Sequence, residues 1–243
     1  VSFSDRGTAV NGGEHEDQRI AMMEMPLFPL NVVLFPGMVL PLHIFEPRYR
    51  EMISRCIDEK IPFGVVLIEE GQEVEDVAKP HMIGTAARIV RVDNMPDGRM
   101  NITTVGVQRF RVVELDHTHS YLSAKVAQYP TLNGSTRAAE TMVRKVRPMI
   151  MEYVELLSKA SQTDLKLDRL PEDPMTLANL VAIALQVDNV QKQKLLELAG
   201  VPEMLDYERF LLSRELLLLR FMVQTQDSLS DMSSGPTGYI FLN

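Results

Sequence analysis

The chain holds one cysteine, Cys56, among 243 residues. An intramolecular disulfide is therefore excluded, which fits a reducing compartment. A surplus of positive charge is also missing: 25 Lys and Arg stand against 33 Asp and Glu, a formal net charge of −8. A bulk acidic chain gains nothing from counterion release on nucleic acid, which argues against general nucleic-acid binding. The N-terminal segment has no basic stretch leading into an apolar one, so it does not read as a secretory signal, and its acidity does not suit a transit peptide. Together these readings predict a cytoplasmic protein. The acidity is concentrated at the ends. Residues 1–25 carry five acids and two bases, and residues 226–243 two acids and no base, so the long middle accounts for only −3 of the −8.

Motifs that carry chemistry are equally scarce. No G-x-x-x-x-G-K-[ST] loop is present to cradle phosphates, and no serine stands in a G-x-S-x-G elbow. "GEHEDQRI" shares only its first two letters with H-E-x-x-H. His117 and His119 in "DHTHS" lie within reach of Asp116, but a closed zinc site takes four ligands, and the segment reads as a polar turn between strands. Cys56 falls on the apolar face of a predicted helix, the setting of a buried structural thiol and not of a nucleophile. The expectation is a protein without catalytic residues, metal or cofactor.

From Pro26 to Phe45 the chain carries no Asp, Glu, Lys or Arg, about the length that crosses a bilayer. Pro26, Pro29, Pro36 and Pro41 interrupt any helix there, since each removes an N–H and disfavours helical geometry before it. The run suits two short strands, "LNVVLF" and "MVLPLHIF", joined by a turn at Pro36-Gly37. Both are apolar throughout and are expected in a core. No membrane association follows.

Residues 1–24 are polar and aperiodic, the composition of a disordered segment. "EPRYREMISRCIDEK" predicts a helix whose face carries Tyr49, Ile53, Cys56 and Ile57. "IPFGVVLIEE" is a strand and "GQEVEDVAKP" a surface loop. Residues 82–115 predict three strands, with a hairpin at Pro96-Asp97-Gly98 and a bend or bulge at Gly106 before the third. "YLSAKVAQYP" adds another. The period changes after Pro130. One long helix, or two joined at Pro148, is expected from Ala138. Asp173-Pro174 starts the next. Asp188 or Asn189 caps a third, ending at Gly200 as C′. The last opens at Pro202 with Leu205, Leu212 and Leu219 at heptad spacing. Four regions result: a disordered 1–24, a β-rich 25–130, a helical bundle 131–225 and a flexible tail 226–243.

Residues 88–111 hold Arg88, Arg91, Arg99, Arg109 and Arg111 against Asp93 and Asp97. An RNA platform would need exposed aromatics among them, and alternation places Phe110 on the core face instead. Fifteen methionines suit cores and adaptable apolar surfaces. Glu46, Arg48 and Tyr49 in "FEPRYR" either line a cleft or form an internal ion pair and packing contact that fixes the helix on the sheet.

The order of these pieces resembles the Lon-protease N-terminal, or substrate-binding, domain family. "PLFPLNVVLFPGMVLPLHIFEPRYREMI", "IGTAARIVRV", "MPDGRMNITTVGVQRFRV" and "DPMTLANLVAIALQVDNVQKQKLLELAGVPEML" carry the resemblance, which runs from about Met25 to Met222. It implies an α+β fold, a small PUA-like β-barrel followed by a helical bundle. It also implies a stand-alone member without ATPase or peptidase modules, acting as a non-catalytic binder of unfolded or extended polypeptides. The expected role is that of an adaptor or holdase in protein quality control, with an ATP-dependent protease as a further partner. A PUA-like RNA-binding module and a hydrolase with an unrecognised site are the alternatives. The expected polypeptide contacts are Phe35, Met38, Glu46, Arg48, Tyr49 and Arg109. The sequence sets no oligomeric state.

Overall fold

The computed structural model describes residues 22–70, 79–164, 167 and 169–234. The expected disorder of residues 1–21, the loop at 71–78 and the end of the tail from 235 lie outside them. Among the described residues seven strands and five helices follow in order. The strands are β1 (Met23–Leu30), β2 (Val39–Ile44), β3 (Phe63–Glu70), β4 (Lys79–Pro80), β5 (Ile83–Asn94), β6 (Met100–Asp116) and β7 (Ser123–Gln128). α1 (Pro47–Glu59) sits between β2 and β3, and α2 (Arg137–Ser161), α3 (Pro174–Ala184), α4 (Asn189–Glu197) and α5 (Val201–Ser234) follow β7.

The strand order is β1-β7-β6-β5-β3-β4, with β2 on β6. β3 also pairs in parallel with β1, so the path from β1 through β7, β6, β5 and β3 returns to its start. Two sequence expectations need correction here. The first strand is "MEMPLFPL" and not "LNVVLF". It tolerates Pro26 and Pro29 because it changes partner halfway: among the described residues, positions 23–26 form a ladder with β7 and 27–30 with β3, so each half leaves one edge without a ladder. Residues 82–115 form two long strands and not three. β6 runs through Gly106 without a break, and the irregularity there is a bulge, Ala86 facing Gln108 and Ala87 facing Gly106.

Residues 31–38 leave the sheet, and the middle of this segment enters the core. Val33, Leu34 and Phe35 are buried. Phe35 and Val33 join the helical core, and Leu34 the core under α1. Pro36-Gly37 makes the expected turn, closed by Met38 N–H on Phe35 O at 3.0 Å with Gly37 at φ 85°. The turn is tied to β6 by Gly37 N–H to Gly106 O (2.8 Å) and Gly106 N–H to Met38 O (2.9 Å). A Cβ on Gly106 would lie 2.3 Å from Phe35 O, so only glycine allows this approach. β2 is not a core strand: Val39, Pro41 and His43 are exposed and Ile44 alone is fully buried.

α1 buries Tyr49, Met52, Ile53 and Cys56, with Met52 in place of the expected Ile57, which is exposed. α2 is one helix through Pro148. Asp173 caps α3 by accepting from Thr176 N–H, and Asp188, not Asn189, caps α4 by accepting from Gln191 N–H. α4 gives way at Leu198, so Gly200 is not its C′ residue and instead bridges to Leu132. α5 buries Leu205, Leu212, Leu216 and Leu219 and continues to Ser234, past the expected end of the helical pattern at 225. Among the described residues no helix is long and apolar enough to cross a membrane.

Candidate functional site

The six residues expected to contact a polypeptide do not share a surface. Phe35 is core, and Met38 is partly buried in the turn it closes. Glu46 and Arg48 form an ion pair at 3.0 Å beside the start of α1. The buried ring of Tyr49 stacks on Phe28 at 4.0 Å, with Arg48 over its outer face at 4.8 Å. This is the internal pairing that fixes α1 on the sheet. Arg109 is only 4% exposed. Its Nη1 donates to Leu196 O and Leu198 O, and its guanidinium lies 4.9 Å over the Tyr129 ring. Burial lowers its pKa. Buried in this way, Phe35, Tyr49 and Arg109 offer no side chain to a ligand on the surface.

The other arginines do not merge into a basic stripe. Arg91 pairs with Asp93 at 2.9 Å, Arg99 with Asp97 at 2.6 Å, and Arg111 lies over Tyr129 at 4.8 Å. Phe110 is buried, so no aromatic platform lies among them. Asp116 accepts from Thr118 N–H and Oγ1–H, which hold its carboxyl below the usual range, and His119 stacks on Tyr121 at 5.2 Å. Among the described residues no group of three or more His, Cys, Asp or Glu is placed to hold a metal.

What the chain does leave open is a strand edge. β3 and β5 pair as Val65–Thr85, Gly64–Ala86 and Phe63–Ala87. The next pair in that register would be Pro62 with Arg88. Proline has no N–H to donate, so the ladder stops. Just before it Lys60, the C-cap of α1, takes φ 55°, a left-handed turn that carries the chain out of the helix toward β3. Beyond Ala87, β5 pairs only with β6 among the described residues. A groove of about 350 Å³ follows this uncovered edge, lined by Cys56, Ile57, Lys60, Ile61 and residues 88–92. Ile89 and Val92 pack on the core under α1, while Arg88 and Arg91 lie exposed. Ile89 faces Thr104 and Arg91 faces Thr103, so Val90 is a bulged residue, 52% exposed. A bulge twists an edge and shortens the run open to pairing. Cys56 closes the floor, its thiol pKa pushed up to about 11 by burial.

Sequence reading missed this groove although its signals were present: a proline directly before a strand, opposite a longer strand of alternating apolar and basic residues. A second uncovered apolar surface lies on α5, where Phe210, Leu217 and Phe221 recur on the helix face away from the core, Leu217 and Phe221 at 68% and 69% exposure.

Comparison with known proteins gives one consistent result. A family model described as the ATP-dependent protease La (LON) substrate-binding domain matches residues 24–214. Lon protease 2 of Herpetosiphon aurantiacus is 34% identical over 212 residues, which cover 84% of this chain and 26% of that protein. Lon protease of Escherichia coli K12 is 27% identical over 209 residues, again covering 84% and 26%. The chain thus spans about a quarter of the length of these curated relatives. Two solved structures share the fold. The N-terminal domain of Lon protease from the Mycobacterium avium complex superposes with a TM-score of 0.63 at 20% identity, over 79% of this chain and 98% of that one. A Lon N-terminal domain protein from Xanthomonas campestris gives 0.58 at 24%, over 76% and 95%.

Proposed function

The chain belongs to the Lon substrate-binding domain family, and on that premise we propose that it is a non-catalytic polypeptide-binding module that takes extended or unfolded segments along the uncovered edge of β5. The cyclic strand pairing is read as a small PUA-like barrel that presents this edge. Within protein quality control the module acts as an adaptor or holdase in the cytoplasm, handing its clients to an ATP-dependent protease.

The observation that carries the reading is the end of the β3–β5 ladder at Pro62. Among the described residues it leaves unpaired backbone along one edge of β5, and across the groove from that edge stands an apolar wall, Ile57 and Ile61. Main-chain pairing with an edge supplies affinity without demanding a sequence, and the wall supplies apolar burial. A few buried side chains contribute roughly 1.5–3 kcal/mol each. Ordering a flexible segment takes back on the order of 2–5 kcal/mol. The balance falls near the roughly 8 kcal/mol of a micromolar constant.

The test is a titration of the chain against a reduced, unfolded, fluorescently labelled protein at low and high salt. Micromolar binding that weakens little with salt is expected, because burial drives it. Loss of most affinity at high salt would move the binding face to the exposed arginines, and no binding at either salt would remove the polypeptide-binding reading.

A further inference from the structure

We propose that the β5 groove selects extended segments in which apolar and acidic side chains alternate. The inference rests on the polypeptide-binding reading and adds a substrate class to it.

A short strand laid along residues 88–92, with the bulged Val90 and Arg91 together facing one of its positions, would send successive side chains to opposite faces of the sheet. On one face they meet Ile57 and Ile61 at the end of α1, beside Ile89 and Val92. On the other they stand next to Arg88 and Arg91, the cross-strand neighbours whose charge decides which partner is tolerated. Arg91 is already engaged by Asp93 in an exposed pair, so part of its charge is answered within the chain. Arg88 has no carboxylate at ion-pair distance among the described residues, and neither has Lys60 at the mouth of the groove. The two therefore form a cationic rim on a chain of net charge −8. Two of the carbonyls at the end of α1 beside this rim, Ile57 O and Cys56 O, already accept from Lys60 N–H and Ile61 N–H. Period-2 alternation of Val or Ile with Glu or Asp matches both faces, and alternation with Lys sets like charges against the rim.

The test uses the whole chain and two labelled peptides of about ten residues, one alternating Val and Glu, the other Val and Lys. At low salt the Val/Glu peptide should bind about tenfold more tightly. The ratio should fall toward one at molar salt, where the Debye length is about 3 Å. Arg88→Glu with Lys60→Glu should invert the preference. Arg88→Glu alone, which leaves the Lys60 turn untouched, should shift it the same way by a smaller factor, with circular dichroism unchanged. Equal binding of both peptides, abolished by N-methylating alternate amides, would overturn the acidic selectivity and leave the edge-pairing reading standing. A preference unaffected by the charge reversals would also overturn the proposal. If neither peptide binds, both readings fail. If oligouridylate of equal charge displaces the Val/Glu peptide at the same salt, the rim is an RNA contact and the proposal fails.

Discussion

Arg109 and Leu196, 87 residues apart in sequence, are joined by a hydrogen bond of 2.6 Å from the guanidinium Nη1 to the carbonyl, and the same nitrogen reaches Leu198 O at 2.7 Å. The last carbonyls of a helix lack partners within it, and here a strand residue supplies one. Around it Tyr129 Oη donates to Glu197 O at 2.8 Å, Gln193 Nε2 to Ile83 O at 3.0 Å, and Leu132 N–H to Ala199 O at 2.8 Å. The sheet and the helices are thus clasped at the C-terminal end of α4. Arg109 Nε and Nη2 are buried without a partner among the described residues, so the arginine is held there by one nitrogen and the Tyr129 ring.

Arg109→Leu should destabilise the chain by about 2–4 kcal/mol, since two carbonyls lose a charged donor and stay buried. Arg109→Lys should lie between, because an ammonium lacks the flat fork that rests on the ring. Urea unfolding measures both, and peptide binding by the folded variants should be unchanged. A loss of peptide binding without loss of stability would return Arg109 to the binding face.

Glu208 gives the second prediction. It is fully buried in α5, neither carboxylate oxygen has a partner among the described residues, and desolvation raises its pKa well above the ordinary value. In the folded state it keeps its proton while the unfolded chain loses it, so the unfolded state binds fewer protons and stability falls as pH rises. The fall begins near the unfolded value of about 4.3 and continues up to the raised folded value. Glu208→Leu should add about 1–3 kcal/mol at pH 7 and less at pH 4. A variant no more stable at pH 7 than at pH 4, relative to the parent, would show that Glu208 has a partner.

How far the sequence was legible depended on whether its local physics was overruled from a distance. Asp173-Pro174 and the Leu205, Leu212 and Leu219 repeat are local signals, and the helices form where they point. Alternation correctly placed Phe110 in the core and Arg109 on the opposite face. It could not show that α4, from far along the chain, covers that face and buries the arginine. The apolar run places the first strand at "LNVVLF", but the strand forms over residues 23–30, where each half pairs with a different distant partner, a pairing no local pattern encodes. The site was less legible than the fold: a groove defined by where pairing stops depends on the registers of two strands at once.

Cys56 offers a probe within the groove. With a thiol pKa of about 11 and burial in the core under α1, it should react with a disulfide reagent at pH 8 on the order of a hundredfold more slowly than a free cysteine. Bound polypeptide should slow it further, and urea should restore the ordinary rate. Reaction at the free rate in the folded chain would mean that the groove floor is open.

The most direct measurement places two carboxylates in the groove: Ile57→Asp with Val90→Asp. Both side chains are exposed, at 38% and 52%, so the fold should survive with a melting temperature close to the parent's. Affinity for an unfolded polypeptide, read by fluorescence anisotropy, should fall at least tenfold as Ile57 is removed from the apolar wall and two carboxylates enter the groove. Full affinity in the folded double variant would contradict the assignment of polypeptide binding to the β5 edge.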